Sequence, residues 1–187
     1  MKDKKAHLID TAIGLFARDG VSVSTARIAA ESGVSNGTLF NYFPTKQQLI
    51  DSVYLSIKED IAQNVLSGLG REMSVKEVMF GIWRGYIQWA VANPLRHEVS
   101  VLLREARALS ASAQKRVDVI FELKVEKLRQ GVDRHELVDL PVDYICELSM
   151  AQIGVAVMYL RHHQFDTVEA GKHIHRSFDV FWRGICA

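Results

Sequence analysis

Apolar residues recur at helical spacing along nearly the whole chain, and this period constrains the fold more than any other feature of the sequence. The first such set, which predicts a helix over about residues 4–18, consists of Leu8, Ile9, Ala12, Ile13 and Phe16. The alternation typical of a β-strand extends over no more than residues 21–24. Further helices are expected over residues 25–32, from residue 36, and over 45–66, 74–92, 95–109, 112–130, 141–162 and 167–185. The sequence therefore predicts an all-α fold.

Charge and cysteine content exclude several classes of protein. With 23 Lys and Arg against 22 Asp and Glu, the formal charge is +1, so any contact with nucleic acid must be confined to a local surface. Cys146 and Cys186 form neither a C-x-x-C pair nor a metal-binding spacing with histidine, and we expect two buried, reduced thiols. Because the sequence contains neither a long apolar run nor an apolar signal core, we expect a cytoplasmic protein without a membrane partner.

Residues 24–46 contain the signals of two short helices joined by a tight turn. The first helix is expected over residues 25–32, and Gly33 can adopt the positive φ that ends it sharply. The side-chain oxygen of Ser35 is placed to cap a second short helix that begins at Asn36. This arrangement predicts a helix-turn-helix motif.

The second short helix has an inner and an outer face. Leu39 and Phe43 face the core, whereas the outward residues are Gly37, Thr38 and Asn41. Thr45 and Gln48 then have the spacing of a capping box for the next, long helix. Lys46 consequently lies in the first turn of that helix, beside free backbone N–H groups that suit a phosphate.

This segment carries particular residue types at particular spacings. They are Ile28-Ala29, Gly33-Val34-Ser35, Gly37-Thr38-Leu39-Phe40, Tyr42-Phe43, Lys46 and Leu49. At these positions the chain resembles the tetracycline-repressor (TetR) family of one-component transcriptional regulators. The resemblance implies a three-helix helix-turn-helix DNA-binding domain over residues 1–46, followed by a C-terminal helical bundle over residues 47–187 for ligand binding and dimerisation.

The resemblance also implies which residues touch a double-stranded DNA operator. We expect major-groove bases to face Asn36, Gly37, Thr38 and Asn41. We expect phosphates to be contacted by Tyr42, Lys46, Arg27 and Thr25. Ser35, the cap of the second short helix, is also expected at the DNA. The implied function is a repressor that a small apolar or aromatic effector releases from its operator.

Two other classes of function remain open from the sequence. The first is a helical binding or adaptor protein that keeps the fold but has lost DNA recognition. The second, an enzyme, is the weaker alternative, because no G-x-S-x-G, H-E-x-x-H, G-x-x-x-x-G-K or G-x-G-x-x-G spacing is present. No catalytic residue is therefore expected.

Aromatic residues are frequent on the helix expected at 74–92 and on the helices that follow it. Most such residues form ordinary core, but amphipathic Trp and Tyr also line cavities that need apolar walls and polar groups together. We expect an effector to bind among the helices at 74–92, 95–109, 112–130 and 141–162. The candidate ligand-binding residues are Met79, Trp83, Tyr86, Trp89, Arg104, Phe121, Tyr144 and Gln152.

The last two predicted helices carry apolar residues at helical spacing, and we expect no other part of the chain to cover them. These residues are Leu148, Val155, Tyr159, Ile174, Phe178, Phe181 and Ile185. Two such helices from each subunit would make a four-helix bundle, so the sequence predicts a homodimer with this interface.

Histidines cluster near the C-terminus, at His162-His163 and at His173 and His175. Adjacent residues of a helix point about 100° apart, and residues two apart diverge further, so each pair offers at most one ligand to a shared metal ion. We therefore expect neither a metal nor another cofactor.

Overall fold

The protein is described here from a computed structural model, which covers residues 4–163 and 165–187 and folds them into ten α-helices. The helices are α1 Lys4–Asp19, α2 Thr25–Glu31, α3 Asn36–Tyr42, α4 Lys46–Val65, α5 Val75–Ala92, α6 Pro94–Glu105, α7 Ala111–Ile120, α8 Glu122–Asp133, α9 Val142–His162 and α10 Thr167–Ile185. Among the described residues, β-structure is limited to one isolated bridge between Leu137 and Cys186. The predicted all-α fold is confirmed.

The prediction of a single helix over residues 112–130 is wrong, because the chain forms two helices there. Phe121 leaves helical geometry with φ −106° and ψ 19°, and its carbonyl oxygen accepts a hydrogen bond from the N–H of Lys124 at the start of α8. Apolar spacing continues on both sides of Phe121, so a break of one residue leaves no trace in the periodicity.

Contacts divide the chain into two compact units. The first comprises the residues up to Asp60 together with Asn93–Ile120, and the second comprises Ile61–Ala92 and Phe121–Ala187. The boundary between them falls inside α4, between α5 and α6, and between α7 and α8. The functional boundary expected at residue 46 remains a prediction.

In the first unit, α1 packs against α2 and α6. Leu8, Phe16, Ile28 and Leu39 are fully buried in its interior. The unit that contains the short helices α2 and α3 also contains α6 and α7, so it extends beyond the first 46 residues.

In the second unit, α5 packs against α8, α9 and α10. The apolar face of α10 lies against α5, where the ring of Phe181 stacks on Trp83 with 5.0 Å between ring centroids. The residues of α10 that are buried within the chain are Ile174, Phe178, Phe181 and Ile185. The expectation that nothing in the chain covers these four side chains is therefore wrong, since α5 and α9 both pack against α10.

None of the helices within residues 4–163 and 165–187 is long and apolar enough to cross a lipid bilayer. Cys146 and Cys186 are both free thiols, and both are half-buried instead of fully buried.

Candidate nucleic-acid interface

The segment that the sequence marks as a helix-turn-helix forms two short helices with a tight turn between them. The hydroxyl of Ser24 accepts a hydrogen bond from the N–H of Arg27 at the start of α2 (3.3 Å). Gly33 follows α2 with φ +68°, a conformation that strains residues with a side chain. The hydroxyl of Ser35 then accepts from the N–H of Thr38 (3.1 Å) and caps α3. Each local signal in the sequence thus has its expected structural role.

One face of α3 is buried and the other is open. Leu39 is fully buried, and Phe43, directly after α3, is 1% exposed. Asn36, Gly37 and Asn41 are exposed on the other face, and Thr38 is half-buried with its hydroxyl 2.9 Å from that of Ser35. The open face therefore presents two amide side chains and a glycine.

Two further groups border this face. Tyr42 ends α3 and is exposed. Lys46 begins α4, where the Thr45 hydroxyl accepts from the N–H of Gln48 (3.1 Å) as the predicted capping box requires. A phenol and an ammonium beside a helix N-terminus form a surface suited to phosphate groups.

Arg27 is already engaged by acidic neighbours. Its guanidinium lies 3.2 Å from a carboxylate oxygen of Asp19 and 3.5 Å from one of Glu31, and Arg18 lies 2.9 Å from the same two carboxylates. All four side chains are partly open to solvent, so these pairs are weak and can exchange partners. A phosphate contact by Arg27 would have to compete with them.

Comparison with known proteins agrees with this geometry. Residues 8–53 match the family model of the bacterial regulatory proteins, tetR family. The crystal structure of a candidate tetR family transcription regulator from Shewanella sp. PV-4 superposes with a TM-score of 0.88, at 28% identity and over 100% of both chains. The chain has the fold of the TetR family regulators, and its residues 8–53 match that family.

Two other known proteins are similar to the chain over most of its length. A TetR family transcription regulator from Marinobacter aquaeolei VT8 has the same fold, with a TM-score of 0.85 at 17% identity, over 98% of this chain and 95% of the other. The nucleoid occlusion factor SlmA of Actinobacillus pleuropneumoniae is 27% identical over 141 residues, which is 70% of each chain.

Most of the residues predicted to bind an effector lie in the second unit. Met79, Trp83, Tyr86 and Trp89 are buried on α5. Phe121 and Gln152 are half-buried, and Tyr144 is 56% exposed on α9. Arg104, also half-buried, is on α6 in the first unit.

Among these aromatic residues, Trp83 packs against α10. Besides the stack on Phe181, its ring meets Phe178 edge-on at 5.8 Å between centroids, and its Nε1–H donates to the Ser177 hydroxyl (3.1 Å). Sequence reasoning missed this packing, because periodicity does not indicate which helix lies opposite a given face. Trp83 is a core residue of the second unit.

A cleft of about 350 Å³ lies elsewhere in the second unit, between the end of α5 and the start of α10. Its lining includes Ile87, Val91, Leu160 and Ile174. None of the eight predicted ligand-binding residues belongs to that lining, so their role in binding an effector remains a prediction.

Lys124 is a buried cation that the sequence did not single out. Its Nζ donates to the Ser149 hydroxyl (2.9 Å), which in turn donates to the carbonyl oxygen of Cys146 (2.7 Å). Burial lowers the pKa of Lys124, while Cys146 and Glu147 partly oppose this shift. On α8, Lys124 follows Phe121, one of the predicted ligand-binding residues, by three positions.

Histidines cluster where α9 meets α10. The rings of His163 and His173 stack on Tyr159, with 4.0 and 4.7 Å between ring centroids, and Phe165 stacks on both histidines. Within the described ranges, no group of three or more His, Cys, Asp or Glu side chains could hold a metal ion.

This cluster should make stability depend on pH. Burial lowers the pKa of His173, and the nearby His163 and Arg176 lower it further. The unfolded chain therefore binds the proton more readily, so the free energy of unfolding should fall as the pH drops through the ordinary histidine range, about 6.5. Chemical denaturation of the wild type and His173→Gln at neutral and mildly acidic pH tests this. The advantage of the wild type should shrink at the lower pH, and an advantage equal at both values would contradict the prediction.

Proposed function

We propose that this chain is a homodimeric DNA-binding transcriptional regulator of the TetR family, a repressor that a small apolar or aromatic effector releases from its operator. The observation that carries the proposal is the open face of α3. It combines exposed Asn36 and Asn41 with Gly37, and it is bordered by Tyr42 and Lys46. Asparagine can pair with adenine in the major groove through two hydrogen bonds, and lysine neutralises phosphate.

Gly37 supports this proposal independently. A Cβ built at Gly37 would meet only the Ser35 hydroxyl, at 3.8 Å, and its φ is not in the positive range. An alanine would therefore fit there without a steric clash. Because the fold does not require glycine here, we infer that its small size lets another molecule approach α3 closely.

A homodimer agrees with the apolar residues that α9 leaves open. Val155 and Tyr159, two of the predicted interface residues, are 61% and 41% exposed, and Met158 is 55% exposed. Leu148 is half-buried on the same helix. We infer that α9 contributes the interface, while α10 supports it from within the subunit. Two-fold symmetry would then place two α3 helices about one DNA turn apart, roughly 34–36 Å.

Removal of the Lys46 charge should weaken binding to all DNA sequences. The expected result for Lys46→Ala is a salt slope reduced by about one phosphate contact per subunit, since the ammonium neutralises one phosphate. By contrast, Asn41→Ala should cost roughly 1–3 kcal/mol on the operator and little on random DNA. Footprinting on the region upstream of the protein's own gene would supply the operator, and binding is then measured over a range of salt concentrations.

Lys172→Ala, which removes an exposed lysine of α10, is the matched control and should leave the salt slope unchanged. If Lys46→Ala behaved like this control, the phosphate contact would be wrong. A wild-type chain without salt-dependent DNA binding would favour the adaptor function instead.

Similarity to SlmA favours a second candidate function, in which the protein binds DNA as a nucleoid occlusion factor. The two candidates differ in their cellular effect. A regulator changes transcript levels when its gene is deleted, whereas a nucleoid occlusion factor changes where division septa form relative to the nucleoid. Transcript profiling and microscopy of the same deletion strain distinguish them.

A further inference from the structure

A cleft of about 240 Å³ lies in the first unit, between the end of α3, one side of α4 and the start of α7. Its walls carry five side chains that can donate hydrogen bonds: Tyr42, Gln48, Ser52, Ser112 and Arg116. The DNA-binding function proposed above uses only Tyr42 among them.

Most of these side chains can donate a hydrogen bond to a ligand. Among the described residues, the side chains of Tyr42, Gln48 and Ser52 make no hydrogen bond with another group, although backbone groups of these residues do. Arg116 is paired with Glu59 at 3.2 Å, but both side chains are at least half exposed, at 64% and 50%. An exposed pair of this kind exchanges partners easily.

The cleft also contains a carboxylate, that of Asp51, whose oxygens are occupied by three hydrogen bonds within the protein. Asp51 accepts hydrogen bonds from the backbone N–H of Ser110 (3.1 Å), the hydroxyl of Ser110 (2.6 Å) and the side-chain amide of Gln47 (2.9 Å). These bonds fix the start of α7 to α4 and leave Arg116 as the cation of the cleft that can reach a ligand.

We propose that this cleft binds a small molecule through a phosphate or carboxylate group, and that its occupancy lowers the affinity of the protein for DNA. The donors suit an oxyanion, and Arg116 pairs with such groups through two parallel N–H bonds. The effect on DNA rests on the function proposed above. An anion beside Tyr42 occupies a hydroxyl expected at the DNA backbone and repels the phosphate there.

The position of the cleft along α4 favours a free molecule over the DNA backbone as its ligand. Ser52 and Leu55 follow Lys46 by six and nine residues, which corresponds to about 9–14 Å along the helix axis. A DNA phosphate held at Lys46 is therefore about two helical turns from this end of the cleft, which a small molecule can enter.

Binding is tested on the full chain without DNA, with inorganic phosphate and benzoate as probes and calorimetry or NMR titration as the readout. Arg116→Gln should reduce the affinity for the probe that binds by about tenfold, because it removes the charged partner. Lys115→Gln removes the same charge from the neighbouring position of α7, which does not line the cleft, and should bind like the wild type. Equal binding by all three chains, or no binding of either probe, would overturn the site.

The effect on DNA is measured separately, so a failure of the DNA-binding proposal leaves the first result intact. At matched ionic strength, the probe should weaken DNA binding by the wild type and by Lys115→Gln, and not by Arg116→Gln. Unchanged DNA affinity in the wild type would overturn the regulatory role. If Arg116→Gln weakened DNA binding without any probe, the DNA backbone would be the ligand, and the proposal of a free anion would be wrong.

Discussion

Replacement of Trp83 by alanine should lower the free energy of unfolding by about 3–5 kcal/mol, the range for removal of a large aromatic side chain from a core. Trp83 is 1% exposed, stacks on Phe181, meets Phe178 edge-on and donates to Ser177. Its removal leaves a cavity between α5 and α10 that neighbouring side chains fill only in part. Urea denaturation followed by circular dichroism measures the change.

Ser177→Ala is the matched control for this prediction. It removes the hydrogen bond of the indole and keeps the ring packing, so it should cost only about 0.5–1.5 kcal/mol. If Trp83→Ala were as stable as the wild type and lost only the response to an effector, Trp83 would line a ligand pocket instead of filling the core.

Introduction of a charge on the open face of α9 should separate the proposed dimer. Val155 is 61% exposed, so Val155→Glu should leave each subunit folded. Across a two-fold interface, the change puts a carboxylate on each subunit in the same contact, and we expect the dissociation constant of the dimer to rise more than about 100-fold. Sedimentation equilibrium measures this constant, and operator affinity should fall with it.

Two further variants test whether the loss of the dimer is specific to a charge on the open face of α9. Val119→Glu changes a valine of α7 in the first unit that is even more exposed, at 72%, and should leave the dimer intact. Phe178→Glu places a charge in the interior of the subunit and should unfold the chain instead of yielding folded monomers, because Phe178 is 2% exposed. A Val155→Glu protein that remained dimeric would exclude this part of α9 from the interface.

The helix-turn-helix could be predicted from the sequence because its signals are local. The positive φ of Gly33 and the caps at Ser35 and Thr45 each depend on residues no more than a few positions away, and each is present in the structure. Local backbone preferences at these positions agree with the fold, so short-range reasoning was sufficient.

The packing of the second unit could not be predicted in the same way. The spacing of Phe178 and Phe181 shows that α10 has an apolar face, but the same spacing would suit a partner subunit, a ligand or another helix of the chain. Which surface covers that face depends on contacts between residues far apart in sequence, such as Trp83 and Phe181. The break at Phe121 and the donors around Arg116 escape sequence reasoning for the same reason.

The open backbone at Gly37 bears on how a protein of this kind can change over evolution. Since a side chain at this position meets only Ser35 at an ordinary contact distance, a substitution alters what α3 presents without disturbing Leu39 and Phe43 beneath it. A substitution at position 37 therefore changes this surface with little effect on the stability of the fold. If α3 contacts DNA as proposed, a substitution there changes or blocks that contact, with no compensating change needed elsewhere in the protein.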